Sequence, residues 1–316
     1  MSSTDTSPRS PRYSLAGVAI SSDFDLPLDE ASHIGLAVAH LTRAPLAETR
    51  RDIAEPRIVC RREANKVTFI HRSVGSFTAD VPLGWPLTIT VALYPDFSEA
   101  GLRAILQGPL HALIAQAGGM LALHASAVAK GDVGLLIAGP SGSGKSTLAA
   151  AMARAGWTLT ADDLALVGFA DGVPRLIPNS QSVWLCQDSA EAFYHTPSAA
   201  RLDGKVRMDF CQDLPRTARL AGLLLPVFGS TIASPFEVFH GPTAARALKN
   251  VFYGPLIPVE GWSQSQRGQI HEDILAGMVV ARWTRPRDFS QINAGVEQVE
   301  AFLLASASKR RSPQSA

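Results

Sequence analysis

The stretch "LHASAVAKGDVGLLIAGPSGSGKST", Leu123 to Thr147, decides how this 316-residue chain is read. Its end, "GPSGSGKS" from Gly139 to Ser146, fits the pattern G-x-x-x-x-G-K-[ST] in full. "GLLIA" before it is an apolar run of strand length, and "STLAAAMARAG" after it sets Leu148, Met152 and Ala155 on one helical face. A strand, a glycine-rich turn and a helix in that order form a phosphate cradle. The glycines let backbone N–H groups turn inward around phosphate oxygens, and the helix N-terminus adds partial positive charge. Gly139, Pro140, Ser141, Gly142, Ser143, Gly144, Lys145, Ser146 and Thr147 are the expected nucleotide-binding residues. Lys145 is expected to reach the β- and γ-phosphates, and Ser146 to offer its hydroxyl to Mg²⁺.

On the C-terminal side, "WTLTADDLALV" brings a strand from Trp157 to Thr160 that ends at Asp162 and Asp163. Adjacent carboxylates at such a strand end can divide labour, one on a phosphate-bridging metal and one on an attacking hydroxyl. On the N-terminal side, "LHASAVA" and "VGLLIAG" read as a hairpin turning at "KGD". That register sets His124 opposite Ala138 or Gly139, at the mouth of the loop. Its candidate roles are phosphate hydrogen bonding, metal ligation or orienting Asp162.

Further out, 29 basic and 28 acidic residues give a net charge of +1, so nothing in the composition draws the chain to nucleic acid or anionic lipid. No apolar run reaches the roughly 18 residues of a membrane helix, and "MSSTDTSPRSPR" has no secretory h-region. Cys60, Cys186 and Cys211 are odd in number and irregularly spaced, which argues against a disulfide framework or a metal cluster. A cytoplasmic protein is expected, and a homo-oligomer remains open.

Residues 1–12 and 308–316 are Ser-, Pro- and Arg-rich and are expected to be disordered tails. Residues 13–96 read as short strands, "YSLAGVAI", "HIGLAVAHL", "RIVCRR", "KVTFIHR" and "LTITVALYP", a β-rich N-terminal region. "SEAGLRAILQGPLHALIAQAGG" then reads as a helix capped by Ser98 and kinked at Pro109, and the boundary is placed there. From 97 to 307 strands and helices alternate in an α/β pattern of mixed direction. "TAARALKNVFY", "QRGQIHEDILAGMVVARW" and "QINAGVEQVEAFLLA" are its expected late helices. In "RLDGKVRMDF", Lys205 and Arg207 stand two apart and point the same way on a strand. They read equally as a clamp on a phosphoryl group or substrate carboxylate and as a solvated strand edge. His195, Asp203 and His240 carry no motif and read as structural or surface residues.

Histidine, phosphate loop and Asp-Asp pair, in that order over residues 119–170, resemble the histidine-containing phosphocarrier (HPr) kinase/phosphorylase superfamily, whose fold is shared with phosphoenolpyruvate carboxykinase. The resemblance implies an α/β phosphate-loop core, a mixed sheet with helices, preceded by a β-rich region. It also implies that Gly139 to Thr147 bind ATP phosphates, that Ser146 and Asp163 hold Mg²⁺, that Asp162 accepts the substrate's proton, and that His124 stands near the γ-phosphate. Pro140 replaces the Asp usual after the first loop glycine. The layout opening with "YSLAGVAISSDFDLPL" looks like HPr-kinase-related proteins found beside peptide biosynthesis genes, some of which phosphorylate a serine of a lasso-peptide precursor. The expected function is an ATP- and Mg²⁺-dependent kinase acting on a hydroxyl, a serine of a peptide or protein, with Asp162, His124 and Lys145 catalytic. A small-molecule kinase and a nucleotide-sensing module without transfer are the alternatives.

Overall fold

The computed structural model describes residues 13–15, 18–28, 38–45, 58–193, 201–202, 204–210, 217–230, 234–253 and 264–311. The expected tail 1–12, His195, Asp203 and Cys211 lie outside them. The chain is mixed α/β and divides into two compact units, the first reaching Met120 and the second beginning at Leu121.

The first unit holds β1 (Tyr13–Leu15), β2 (Val18–Ser22), β3 (Val38–Arg43), β4 (Ile58–Arg62), β5 (Lys66–His71), β6 (Gly75–Asp80) and β7 (Leu87–Leu93). They form one sheet in the order β1-β2-β3-β7-β6-β5-β4, with β2, β3 and β7 parallel and the other neighbours antiparallel. β7 shows why the residues take this form: Leu87, Ile89 and Val91 are buried while Thr88 and Thr90 face solvent, the period of a half-buried strand. β6, "GSFTAD", has too few apolar residues to be read in advance, yet Phe77 and Ala79 still alternate into the core.

The single kinked helix expected over 98–119 is two helices, α1 (Glu99–Gln107) and α2 (Pro109–Ala117). Ser98 caps α1, its Oγ accepting the Gly101 N–H at 3.1 Å. Pro109 occupies the first turn of α2, where no helical N–H is needed. Leu102, Ile105, Leu106, Leu110, Leu113 and Ile114 join Phe77, Ile89 and Val91 in one core. Their apolar stripe therefore belongs to the first unit, and the division falls at 120/121 rather than at 96/97.

The second unit runs β8 (Leu121–Leu123), β9 (Ala125–Lys130), β10 (Val133–Ala138), α3 (Lys145–Arg154), β11 (Thr158–Ala161), β12 (Ala165–Ala170), β13 (Val173–Ile177), β14 (Ser182–Cys186) and α4 (Gln187–Phe193). It continues through β15 (Arg201–Leu202), β16 (Lys205–Asp209), β17 (Ala218–Phe228), β18 (Phe236–Phe239), α5 (Gly241–Lys249), α6 (Gln264–Gly277), β19 (Val279–Arg285) and α7 (Ile292–Arg311). The large sheet runs β11-β9-β10-β17-β13-β12-β8, with β19 beside β17 and β18 at its edge; β14, β16 and β15 form a small antiparallel sheet. β10, β17 and β19 are parallel, so their C-terminal ends lie along one sheet edge. Leu148 and Met152 of α3 and Val296, Val299 and Leu303 of α7 pack with Leu135, Ile137, Leu224 and Trp283 in one core.

Two expectations change here. The helix read over "QRGQIHEDILAGMVVARW" stops at Gly277, and Val279 to Arg285 form a strand. Val279, Val280 and Trp283 are buried residues that suit a pleated surface, and parallel pairing with β17 overrides the continuous helical reading. At the C-terminus, α7 extends to Arg311, into the segment assigned to a tail, and residues 312–316 lie outside the description. Extending an existing helix costs little compared with starting one, and basic residues suit its C-terminal end. Among the described residues no helix is long and apolar enough to cross a membrane.

Candidate active site

Strand pairing assembles the site. In the β9–β10 hairpin Ala125 faces Ala138, so His124 comes next to Gly139, the register expected from sequence. β8 pairs with β12 through Leu123 and Ala165, which brings His124 beside the end of β11. β9 pairs with β11 through Ala127 and Ala161, which sets Ser126 next to Asp162. A bend at His124 separates β8 from β9.

The loop from Gly139 to Gly144 has the conformation that its glycines permit. Gly139, Gly142 and Gly144 have φ of 150°, 80° and 87°, and Gly144 is the N-cap of α3. Lys145 folds back over the loop, its Nζ donating to the Gly139 carbonyl at 2.9 Å and the Pro140 carbonyl at 3.2 Å. Burial holds the Lys145 ammonium below its usual range, and Lys205 acts in the same direction; the charges of Asp163 and Asp162 oppose the shift. Ser143 Oγ is buried with no hydrogen-bond partner, an orphaned hydroxyl inside the loop. Pro140 and Ser141 are exposed. Thr147 is turned away, its buried hydroxyl sharing a 3.1 Å hydrogen bond with Ser189 of α4.

The two aspartates differ sharply. Asp162 accepts three hydrogen bonds: from Ser126 Oγ at 2.7 Å, from Ser146 Oγ at 2.9 Å, and from the Trp184 N–H at 2.9 Å. Burial raises its carboxyl above the ordinary range, those three bonds pull it back, and the charge of Asp163 raises it further. Asp163 is exposed and takes a left-handed backbone with φ of 67°, uncommon for a residue with a Cβ though most tolerated by Asp and Asn. Its Oδ1 lies 3.4 Å from His124 Nδ1. The His124 ring is tilted against Tyr253 at a centroid distance of 5.9 Å, and burial, assisted by the Asp163 charge, pushes the Tyr253 hydroxyl up to about 12.

This geometry separates the expected roles. Ser146 meets Asp162, whereas the expectation paired Ser146 with Asp163 on the metal. Asp162 is buried and already accepts from three donors; Asp163 keeps an exposed carboxylate beside His124. Lys205 and Arg207 lie on the exposed face of β16, as expected of alternate strand residues. Arg207 is tied to Asp209 at 2.9 Å and to Ser182, whereas the charge of Lys205 is felt at Lys145. The hydroxyl of Ser146 and the two carboxylates are hard oxygen donors of the kind Mg²⁺ takes.

Sequence reading missed Ser126, the Trp184 amide and Arg285. Ser126 had a signal: a hydroxyl two residues from His124 in a strand otherwise made of Ala and Val up to its final Lys130. The Trp184 amide had none, because a backbone donor is delivered by the small sheet and not by residue type. Arg285 ends β19 and is buried, with its guanidinium 4.6 Å from the Phe228 ring centroid.

Neither a protein-family model nor a curated protein matches the chain. Among solved structures, the Hpr(Ser) kinase/phosphatase from Coxiella burnetii is similar over 58% of this chain and 97% of that one, at 13% identity and a TM-score of 0.32.

Proposed function

We propose that the chain is an ATP- and Mg²⁺-dependent kinase that transfers the γ-phosphate to a hydroxyl, a serine of a peptide or protein. The observation that carries this reading is the 2.9 Å hydrogen bond from Ser146 to Asp162. It ties the first turn of the loop helix to a strand end where a second, exposed carboxylate stands beside His124, which supports reading these residues as the phosphate cradle, metal donors and proton acceptor of one site.

Each residue then has a task that follows from its surroundings. Lys145 lies across the loop and is placed to exchange its carbonyl partners for phosphate oxygens. Asp162 fixes Ser146, and the two would hold the metal together. Mg²⁺, when bound, neutralises charge on the β- and γ-phosphates. Asp163, exposed and steadied by His124, receives the proton of the acceptor hydroxyl as its oxygen bonds to the γ-phosphorus and the bridge to the β-phosphate breaks. Lys205, on an exposed strand face near Lys145, is positioned to meet the anionic transition state or an acidic part of the acceptor.

The test is incubation with γ-labelled ATP and Mg²⁺ against serine-containing peptides and small hydroxyl compounds, read by mass spectrometry, with Asp163→Asn as control. A peptide that gains one phosphate only with the unaltered protein is the expected result. Phosphate on small molecules alone replaces the peptide acceptor; ATP binding with no transfer to any acceptor leaves a nucleotide-sensing module and overturns the kinase.

A further inference from the structure

Arg285 is an unusual residue for its place. It is 7% exposed, and no carboxylate among the described residues pairs with it. Its Nε is buried without a hydrogen-bond partner, and among the described residues its Nη1 has only the carbonyl of Pro286 at 3.5 Å. What surrounds it is aromatic: the Phe228 ring at 4.6 Å and the Trp283 ring at 5.7 Å from the guanidinium carbon. Cation–π contact compensates part of the lost hydration of a buried guanidinium, not the whole of it.

The free end of this cation points at the phosphate loop. A Cβ built on Gly144, the N-cap of α3, would collide with Arg285 Nη2 and stand 3.5 Å from Phe228 Cζ. Glycine at 144 thus does two things: it adopts a φ of 87°, and it leaves the guanidinium room to reach the first turn of the helix. β17 and β19 explain the placement, because Phe228 and Arg285 are paired at their C-terminal ends, on the edge where β10 also delivers the loop.

Among the described residues, a helix N-terminus with no capping side chain, a buried cation with no acid and an orphaned Ser143 hydroxyl all lack the same thing, an anion. We propose that Arg285 is a second phosphate-binding cation of this site, its Nη2 engaging the phosphate chain on the Gly144 side of the loop while Lys145 lies over the Gly139 and Pro140 side. The inference rests on the nucleotide reading above, and it adds a charge that no motif marks. Phe228 and Trp283 hold the guanidinium in line, and Arg287, 5.5 Å from the outer Phe228 ring, adds positive potential at the same edge.

The test is thermal unfolding and calorimetry of the full chain with inorganic pyrophosphate, ADP, ATP with Mg²⁺, and adenosine, for the unaltered protein, Arg285→Met and Arg285→Lys. Met keeps the packing of the stem against the two rings and removes the charge. The expected result is an affinity for pyrophosphate, ADP and ATP lowered about tenfold or more in Arg285→Met, with an intermediate loss in Arg285→Lys, because an ammonium cannot reproduce the planar fork. Without ligand, Arg285→Met should melt at the same temperature as the unaltered protein or higher, since removing an unpaired buried charge relieves a cost. Equal affinities in all three proteins overturn the proposal. So does a ligand-free Arg285→Met, or both variants, that melts lower or fails to fold, for then the guanidinium is a structural clamp. An unaltered protein that binds pyrophosphate but not ATP keeps Arg285 as an anion site and removes the nucleotide reading; one that binds none of the anions removes both.

Discussion

The core of the first unit and the loop edge of the second obey opposite rules. In the first, Phe77, Ile89, Leu106 and Leu110 are fully buried among apolar neighbours, and from Leu87 to Val91 alternation along β7 assigns each side chain a face. At the loop edge the exceptions gather: Asp163 in a left-handed backbone, Ser143 and Arg285 with orphaned polar atoms, and Lys145 bonded to the carbonyls of its own loop. A packed core minimises unsatisfied groups and strain. A site built to receive a charged ligand can keep such groups in readiness, and in the scaffold they stand singly, as at His111 and Asn179.

The contrast can be broken from either side. Asp163→Asn keeps the shape of the side chain and removes its ability to take a proton, so the transfer rate should fall by about 10²- to 10⁴-fold in a labelled-ATP assay. Phe77→Ala should lower unfolding stability by about 3–5 kcal/mol in denaturant titration, because the sheet and helices around the emptied ring close only in part. A loss under 1 kcal/mol would show that the first core is not tightly packed.

His111 offers a pH test of the same core. It is buried in α2 with an unpartnered Nε2, and burial holds it down to about 4 from an ordinary 6.5, against a hydrogen bond to the Gln107 backbone carbonyl that raises it. Between those values the unfolded chain binds the proton and the folded one does not, so stability is present above pH 6.5 and is lost as pH falls toward 4. The loss over that window should be about 3 kcal/mol at most, and His111→Met should flatten it. The smallest expected effect is that of Ser126→Ala. Removing one of three donors to Asp162 should slow transfer about tenfold and cost about 1 kcal/mol of stability, with the fold kept by Ser146 and Trp184.

Much of this was legible in the residues. The glycine turn between β10 and α3, the hairpin register at Ala125 and Ala138, the strand that ends just before Asp162 and Asp163 and the Ser98 cap all follow from local spacing, and the structure has each of them. What escaped depends on partners distant in sequence. β19 reads as helix until β17 is beside it, and α1 and α2 look like the start of the second unit until their stripe meets the first sheet. Which aspartate is occupied and which is free depends on the Trp184 amide, held by a small sheet that no pattern announces. Arg285 ends an apolar strand as any surface arginine might, and only Gly144 across the edge gives it meaning.

The most direct measurement is calorimetric titration of Mg²⁺-ATP into the unaltered protein, Lys145→Ala and Asp163→Asn. The account requires saturable binding by the unaltered chain, an affinity at least about tenfold weaker in Lys145→Ala, and an affinity nearly unchanged in Asp163→Asn. No binding by the unaltered protein, or binding that Lys145→Ala leaves intact, would contradict it.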